Sequence, residues 1–194
     1  MSLQQMNYES PEIAGPKIFE NLNKALELDP DNAYVHFTNG MTAFLTEWDW
    51  DKAEMELLKA LASNPNDAMS RVIYAQLLGC LQRPDEAIKQ GQLAIELDPL
   101  NPIVNALYSQ VLSGTGDFEA ALACTEKVTK ADPGNILANT GIELIAYYFG
   151  NYDKVMEAAK YVLPDKGVDF REVEKIYKEI GFVAAYEEVL HQLE

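Results

Sequence analysis

The chain has 194 residues, 48% hydrophobic and 24% charged, a balance that excludes disorder as its main state. Fifteen Lys and Arg against 31 Asp and Glu leave a formal net charge of −16, which repels phosphate backbones and anionic lipid, so neither nucleic acid nor a membrane is expected as a partner. Cys80 and Cys124 are too few for a disulfide scaffold and wrongly spaced for zinc, no run approaches the ~18 apolar residues of a membrane span, and Met1–Ser10 lacks the pattern of a secretion signal; a reducing, cytoplasmic setting is the expectation.

In chain order, residues 1–15 read as an N-terminal extension, broken by Pro11 and Gly15. A helix is expected from about Pro16 to Leu28, with Ile18, Leu22 and Ala25 on one face. It ends in the octet AlaLeuGluLeuAspProAspAsn, which closes at Asn32 and returns in related form to close at Asp67, Asn101 and Asn135. The four prolines, Pro30, Pro65, Pro99 and Pro133, stand 35, 34 and 34 residues apart. A fixed period of this length marks a repeat architecture. The residue before each proline is pushed out of the helical region, so each octet closes a helix.

A second break falls midway between prolines, at Glu47–Trp50, Gln82–Asp85, Gly116–Asp117 and Gly150–Asn151. Each unit is therefore a helix A and a helix B joined by tight turns. Residues one period apart share a structural role. Gly40, Ala75 and Ser109 form a small-residue column on helix A, and Ala53, Ala87, Ala121 and Val155 form another on helix B. Ala25, Ala60, Ala94, Val128 and Val162 form a third. Small side chains at repeated positions let helix backbones approach closely.

These columns, the 34-residue period, the aromatic after the mid-unit turn (Trp50, Phe118, Tyr152) and the closing Asp-Pro resemble the tetratricopeptide repeat (TPR) family over residues 16–164. The resemblance implies an all-α fold, a right-handed superhelical solenoid of antiparallel helix pairs with helix A on the concave side. With one lone helix B first, four pairs, and a diverged fifth pair over 165–194 turning at Gly181, eleven helices are expected. The fifth pair reads as a cap whose polar residues, Glu172, Lys175, Lys178, Glu179, Glu187 and Glu188, face solvent. Pro164 arrives three residues early, which shortens helix B of the fourth unit. A start in mid-repeat suggests a natural chain that extends further N-terminally. Glu47-Trp48-Asp49-Trp50 and the acidic helix after it are similar to the C-terminal TPR regions of bacterial multidomain signalling proteins, such as class III adenylate cyclases and winged-helix regulators. Trp48 and Trp50 otherwise read as turn residues packing the first hairpin.

Catalytic chemistry finds little purchase. His36 and His191 lie at opposite ends, and the glycines of Ser113–Asp117 have neither the preceding strand nor the following Lys of a phosphate loop. Cys80 and Cys124 read as core thiols. No enzyme activity, cofactor or metal is expected. The A helices, taken as 33–46, 68–81, 102–115 and 136–149, hold two charged residues, Arg71 and Glu143. Glu143 breaks the small-residue column, either as a groove acid or because its helix is rotated or has space to reach water.

By the TPR resemblance, the concave wall would carry Tyr34, Phe37, Met41, Phe44, Met69, Val72, Gln76, Ile103, Ala106, Gln110, Leu137 and Tyr147. This wall has none of the Lys, Arg or Asn with which chaperone-binding TPR proteins hold a terminal carboxylate. It suits an apolar or amphipathic segment of a protein partner, including an upstream domain of the same chain. The expected function is a protein-interaction scaffold from a larger bacterial regulatory protein, as a monomer or weak dimer. The alternative is a structural assembly protein that self-associates through its ends or groove.

Overall fold

A computed structural model describes residues 11–194, which form eleven α-helices and no strand. They are α1 (Pro11–Leu28), α2 (Ala33–Thr42), α3 (Trp50–Ser63), α4 (Ala68–Cys80), α5 (Pro84–Leu97), α6 (Pro102–Gly114), α7 (Phe118–Ala131), α8 (Ile136–Tyr148), α9 (Tyr152–Val162), α10 (Phe170–Glu179) and α11 (Phe182–Leu193). A π-helical turn, Ala43–Glu47, extends α2, and a 3-10 turn, Pro164–Lys166, follows α9.

The repeated octet does two jobs. Its last residue caps the next helix A: Asn32 accepts from the amides of Tyr34 and Val35, Asp67 from Ser70, Asn101 from Ile103 and Val104, and Asn135 from Ala138. The capping asparagines also donate back to the aspartate before the proline, Asn32 to Asp29 and Asn101 to Asp98 at 2.9 Å each. A second link ties the carbonyls of Pro65, Pro99 and Pro133 to the following helix. Asn105 Nδ2 donates to Pro99 O at 3.2 Å, Asn139 Nδ2 to Pro133 O at 2.9 Å, and Arg71 Nε to Pro65 O at 3.0 Å.

The mid-unit turns need a left-handed residue after helix A. Gly116, Gly150 and Gly181 supply it with φ of 87°, 68° and 124°, whereas Trp48 and Gln82 adopt φ of 59° with full side chains.

The small-residue columns are buried where the hairpins close. Ala53, Ala87 and Ala121 are wholly covered, as are Ala60 and Ala94 to within 1%. A Cβ on Gly40 would meet Leu57 Cγ at 2.8 Å, and one on Gly91 would meet the Tyr108 ring at 2.1 Å. Ser109 Oγ donates to Ala121 O at 2.9 Å, bonding α6 to α7. Between units, α4 packs along α6 and α6 along α8, while α3, α5 and α7 each pack on the next helix A. By contrast α2 stands off from α4, and Phe37, Met41 and Phe44 fill in the gap from the α2 side, packing with Ile73 and Leu77 in one apolar cluster.

Four expectations need correction. The first helix begins at Pro11, not near Pro16. Pro11 takes the first position, where its missing N–H is no loss. Residues 1–10, and the side chain of Ile18, lie outside the described residues. Trp48 does not pack the first hairpin: it is 73% exposed, while Trp50 packs on the core. Cys80 is exposed at the end of α4, and only Cys124 is packed as a core thiol, where burial pushes its pKa up. At the far end, Glu172, Lys175, Lys178 and Glu179 do face solvent, but α11 also exposes Val183, Tyr186, Leu190 and Leu193. The shortened fourth helix B is present, as α9 has 11 residues where α3, α5 and α7 have 14.

Candidate functional site

The A helices enclose a groove of about 1070 Å³. Tyr34, Phe37, Met41 and Phe44 line it from α2 and its π-helical extension, Met69 and Gln76 from α4, Ile103 and Gln110 from α6, and Leu137 from α8. Three of the twelve wall residues named from the sequence lie elsewhere. Val72 and Ala106 are 0% and 2% exposed and belong to the core. Tyr147 stands at the other end of α8, its ring 6.0 Å from that of Phe182.

The helical period explains the difference. On α4 the wall residues Met69, Ile73, Gln76 and Cys80 advance by four, three and four positions, and Ile103, Leu107, Gln110 and Gly114 do the same on α6. That stripe follows one helix face. A step of three from Met69 or Ile103 reaches Val72 or Ala106, which turns inward. Ile73 and Leu107 were therefore missed, although the sequence periodicity marks them. Phe37 occupies the same register as Val72 yet reaches the groove, because α2 stands off from α4. Leu45 reaches the groove through the π-helical turn, and Gln82 and Pro84 reach it from the α4–α5 turn. A widened helical turn of this kind leaves no simple trace in the sequence.

The wall is nearly neutral. Its one charged lining residue is Asp67, whose carboxylate accepts from both the amide and the hydroxyl of Ser70. Arg71 turns away, with Nη1 donating to Gln90 at 2.7 Å. Gln76 Nε2 donates to Gln110 Oε1 at 2.7 Å, so the two amides form a rung across α4 and α6. The groove thus offers aromatic and Met contacts and few free polar partners.

Glu143 lies outside this groove. It is half-buried beside a smaller cavity of about 90 Å³ between α8, α9 and α11, lined also by Met156, Lys166, Phe182 and Leu190. Burial pushes its carboxyl above the usual range, against the pull of the Lys166 charge. The space left by the last hairpin therefore accommodates it. His36, one of two histidines, is buried and hydrogen-bonded to Glu56. Among the described residues no group of three His, Cys, Asp or Glu side chains could hold a metal ion, and no helix is long and apolar enough to cross a membrane.

Residues 104–135, which run from within α6 through α7 to the close of the fourth octet, match the family model of the tetratricopeptide repeat. The fold is that of a tetratricopeptide-repeat solenoid. The TPR architecture is shared with PilW, a type IV pilus biogenesis factor, at 22% identity and a TM-score of 0.70 over 91% of this chain and 84% of that one. It is shared with a tetratricopeptide repeat protein from Parabacteroides merdae at 16% identity and a TM-score of 0.66 over 99% and 79%. YrrB, described as a TPR protein with an unusual peptide-binding site, aligns at 22% identity and a TM-score of 0.56 over 98% and 91%. No curated protein matches the chain by sequence.

Proposed function

We propose that this TPR solenoid is a non-enzymatic scaffold that binds an apolar or amphipathic segment of a partner protein in the groove between its A helices. The observation that carries the reading is the groove itself: about 1070 Å³, open, and lined by Tyr34, Phe37, Met41, Met69 and Ile103 with one charged residue. Exposed apolar concavities of this size mark binding sites, and methionine adapts to varied partners. The peptide-binding site of YrrB, a TPR protein of similar fold, supports the same class of function. The proposed partner is a protein segment, including one from a larger regulatory chain to which this solenoid belongs, in the cytoplasm.

Phe37→Glu and Met69→Glu place charge on the wall at side chains that also pack on the apolar cluster beneath it, so thermal melting is followed beside binding. Both variants should keep wild-type helicity by circular dichroism and lose capture of the partner. Undiminished capture by both would refute the groove as the site.

A second reading has its own observation. Val183, Tyr186 and Leu190 on α11, with Leu144 and Tyr147 on α8, leave an apolar surface at the last hairpin. Self-association through this end would make the chain a structural assembly protein. Sedimentation over a hundredfold concentration range separates the two, since growing assemblies favour the second and a monomer or weak dimer the first.

A further inference from the structure

The groove carries information about the conformation and charge of what fills it. Its polar side chains are few: Asp67 and Thr115 bond within their own helix ends, Gln76 donates to Gln110, and Gln82 stands at the rim. An extended segment laid along such a wall would have more backbone N–H and C=O groups than these amides can meet, and the rest would be buried without partners. A helix satisfies those groups internally and presents only side chains. The wall helices α4 and α6 have 13 residues each, so they span about 20 Å from one turn edge to the other.

Both of those edges are acidic. At the A–B turns, Leu45, Pro84 and Thr115 line the groove, and Glu47, Asp85 and Asp117 follow within two residues of them. The cations at this edge, Lys52 and Arg83, are bound to Glu47 at 2.9 Å and to Glu54 and Glu86 at 2.6 and 2.7 Å. At the opposite edge, Asp67 lines the groove and Asp31 precedes Tyr34 by three residues, while the cations there, Arg71 and Lys127, are held by Pro65 O and Gln90 and by Pro99 O. Among the described residues no ion pair engages Asp85 or Asp31, and both are exposed. An apolar trough between two acidic rims is the complement of an apolar helix with cationic ends.

We infer that the occupant is an amphipathic helix of a partner protein, three to four turns long, apolar on one face and carrying Lys or Arg at both ends. The inference rests on the groove being the binding site. The basic ends meet the rim carboxylates, the apolar face meets Phe37, Met69 and Ile103, and the net charge of −16 steers the encounter.

Three designed helical peptides of about four turns, with one shared apolar stripe and flanks of Lys, Gln or Glu, test this by fluorescence anisotropy against the full chain at low and high salt. The Lys-flanked peptide should bind about tenfold tighter than the Gln-flanked one, with the advantage shrinking at high salt. Asp85→Lys combined with Asp31→Lys should cut that advantage several-fold and leave the Gln-flanked affinity unchanged. Phe37→Glu should abolish binding of all three. Equal affinities for the three peptides would overturn the charge inference and leave the groove reading standing. A Lys advantage that persists in Phe37→Glu would also overturn it, as attraction to the general surface. Failure of every peptide to bind the wild-type chain would overturn both.

Discussion

His36 Nδ1 lies 2.7 Å from Glu56 Oε2, with both side chains buried between α2 and α3. An ionised carboxylate only accepts, so Nδ1 carries the hydrogen and donates it. Lys59 Nζ donates to the other oxygen at 2.8 Å. Burial alone would push the Glu56 carboxyl up, but the hydrogen bonds from Lys59, His36 and Asn39, with the Lys59 charge, hold it below the usual range. The first hairpin is thus closed around a charged network, not only around apolar contacts.

A carboxyl held low in the folded chain stabilises it above the unfolded pKa, and that stability fades as pH falls through the folded value. Hydrogen bonds to an ionised carboxylate contribute about 1.5–3 kcal/mol, of which a glutamine keeps only the acceptor for His36. Glu56→Gln should therefore lower the urea-unfolding free energy by about that amount at pH 7, with the gap to wild type narrowing below about pH 4. Glu143 has the opposite sign. Burial raises its folded pKa, so it destabilises the fold once ionised, and Glu143→Gln should stabilise the chain at pH 7 but not under acid. Denaturation curves across pH 3–8 check both.

Gly91 lets α5 lie directly under Tyr108. An added methyl would sit inside the ring, so Gly91→Ala should cost about 2 kcal/mol or more by overpacking. The double variant with Tyr108→Leu should recover part of that loss, a coupling that a double-mutant cycle in urea measures directly.

Gln82 holds the left-handed turn position that Gly116 and Gly150 hold in later units. The strain of a side chain there is about 1 kcal/mol. Gln82→Gly should be neutral to stabilising by thermal melting, whereas Gly116→Ala should lose about 1 kcal/mol.

Asn105 and Asn139 each bond a proline carbonyl and the preceding cap residue from a buried position. Replacing Asn139 with Leu takes from Pro133 O its side-chain donor and should cost about 1–2 kcal/mol, while Asn135 O keeps the Asn139 amide. Asn105→Leu should cost less, because Lys127 Nζ still donates to Pro99 O at 2.7 Å. Equal losses in equilibrium unfolding would show that the lysine does not compensate.

Much of this molecule was legible in the spacing of Pro30, Pro65, Pro99 and Pro133, because a repeated Asp-Pro-x-Asn closes one helix and caps the next through local bonds. The buried columns at Ala53, Ala87 and Ala121 were legible for the same reason: period places them and small volume explains them. The groove was read less well where its geometry depends on how two helices sit against each other. Val72 and Ala106 were assigned to it by register, yet the wall follows steps of four and three through Ile73 and Leu107. The stand-off of α2, the π-helical turn carrying Leu45 and the His36–Glu56 pair arise from contacts between residues a hairpin or more apart. A single chain read locally does not encode those distances in its period.

The stand-off of α2 also bears on how the solenoid comes apart. The joints on either side of the third unit, α6–α7, each use two helix pairings, α4 with α6 and α5 with α6 before it, α6 with α8 and α7 with α8 after it. The first joint relies chiefly on α3 against α4, and the last on a thin contact between α9 and α10. In a chain whose stability sums over nearest neighbours, opening then starts at both ends, and α4–α8 let go last. Three walls of the groove, α4, α6 and α8, belong to that slow-opening centre, while the fourth, α2, belongs to the part that opens first. Amide exchange should be fast in α2 in the unbound chain, and a bound partner should register there as added protection more than anywhere else. Occupancy of the groove would thus act as a clamp on the first unit, coupling recognition to the local unfolding of a single hairpin.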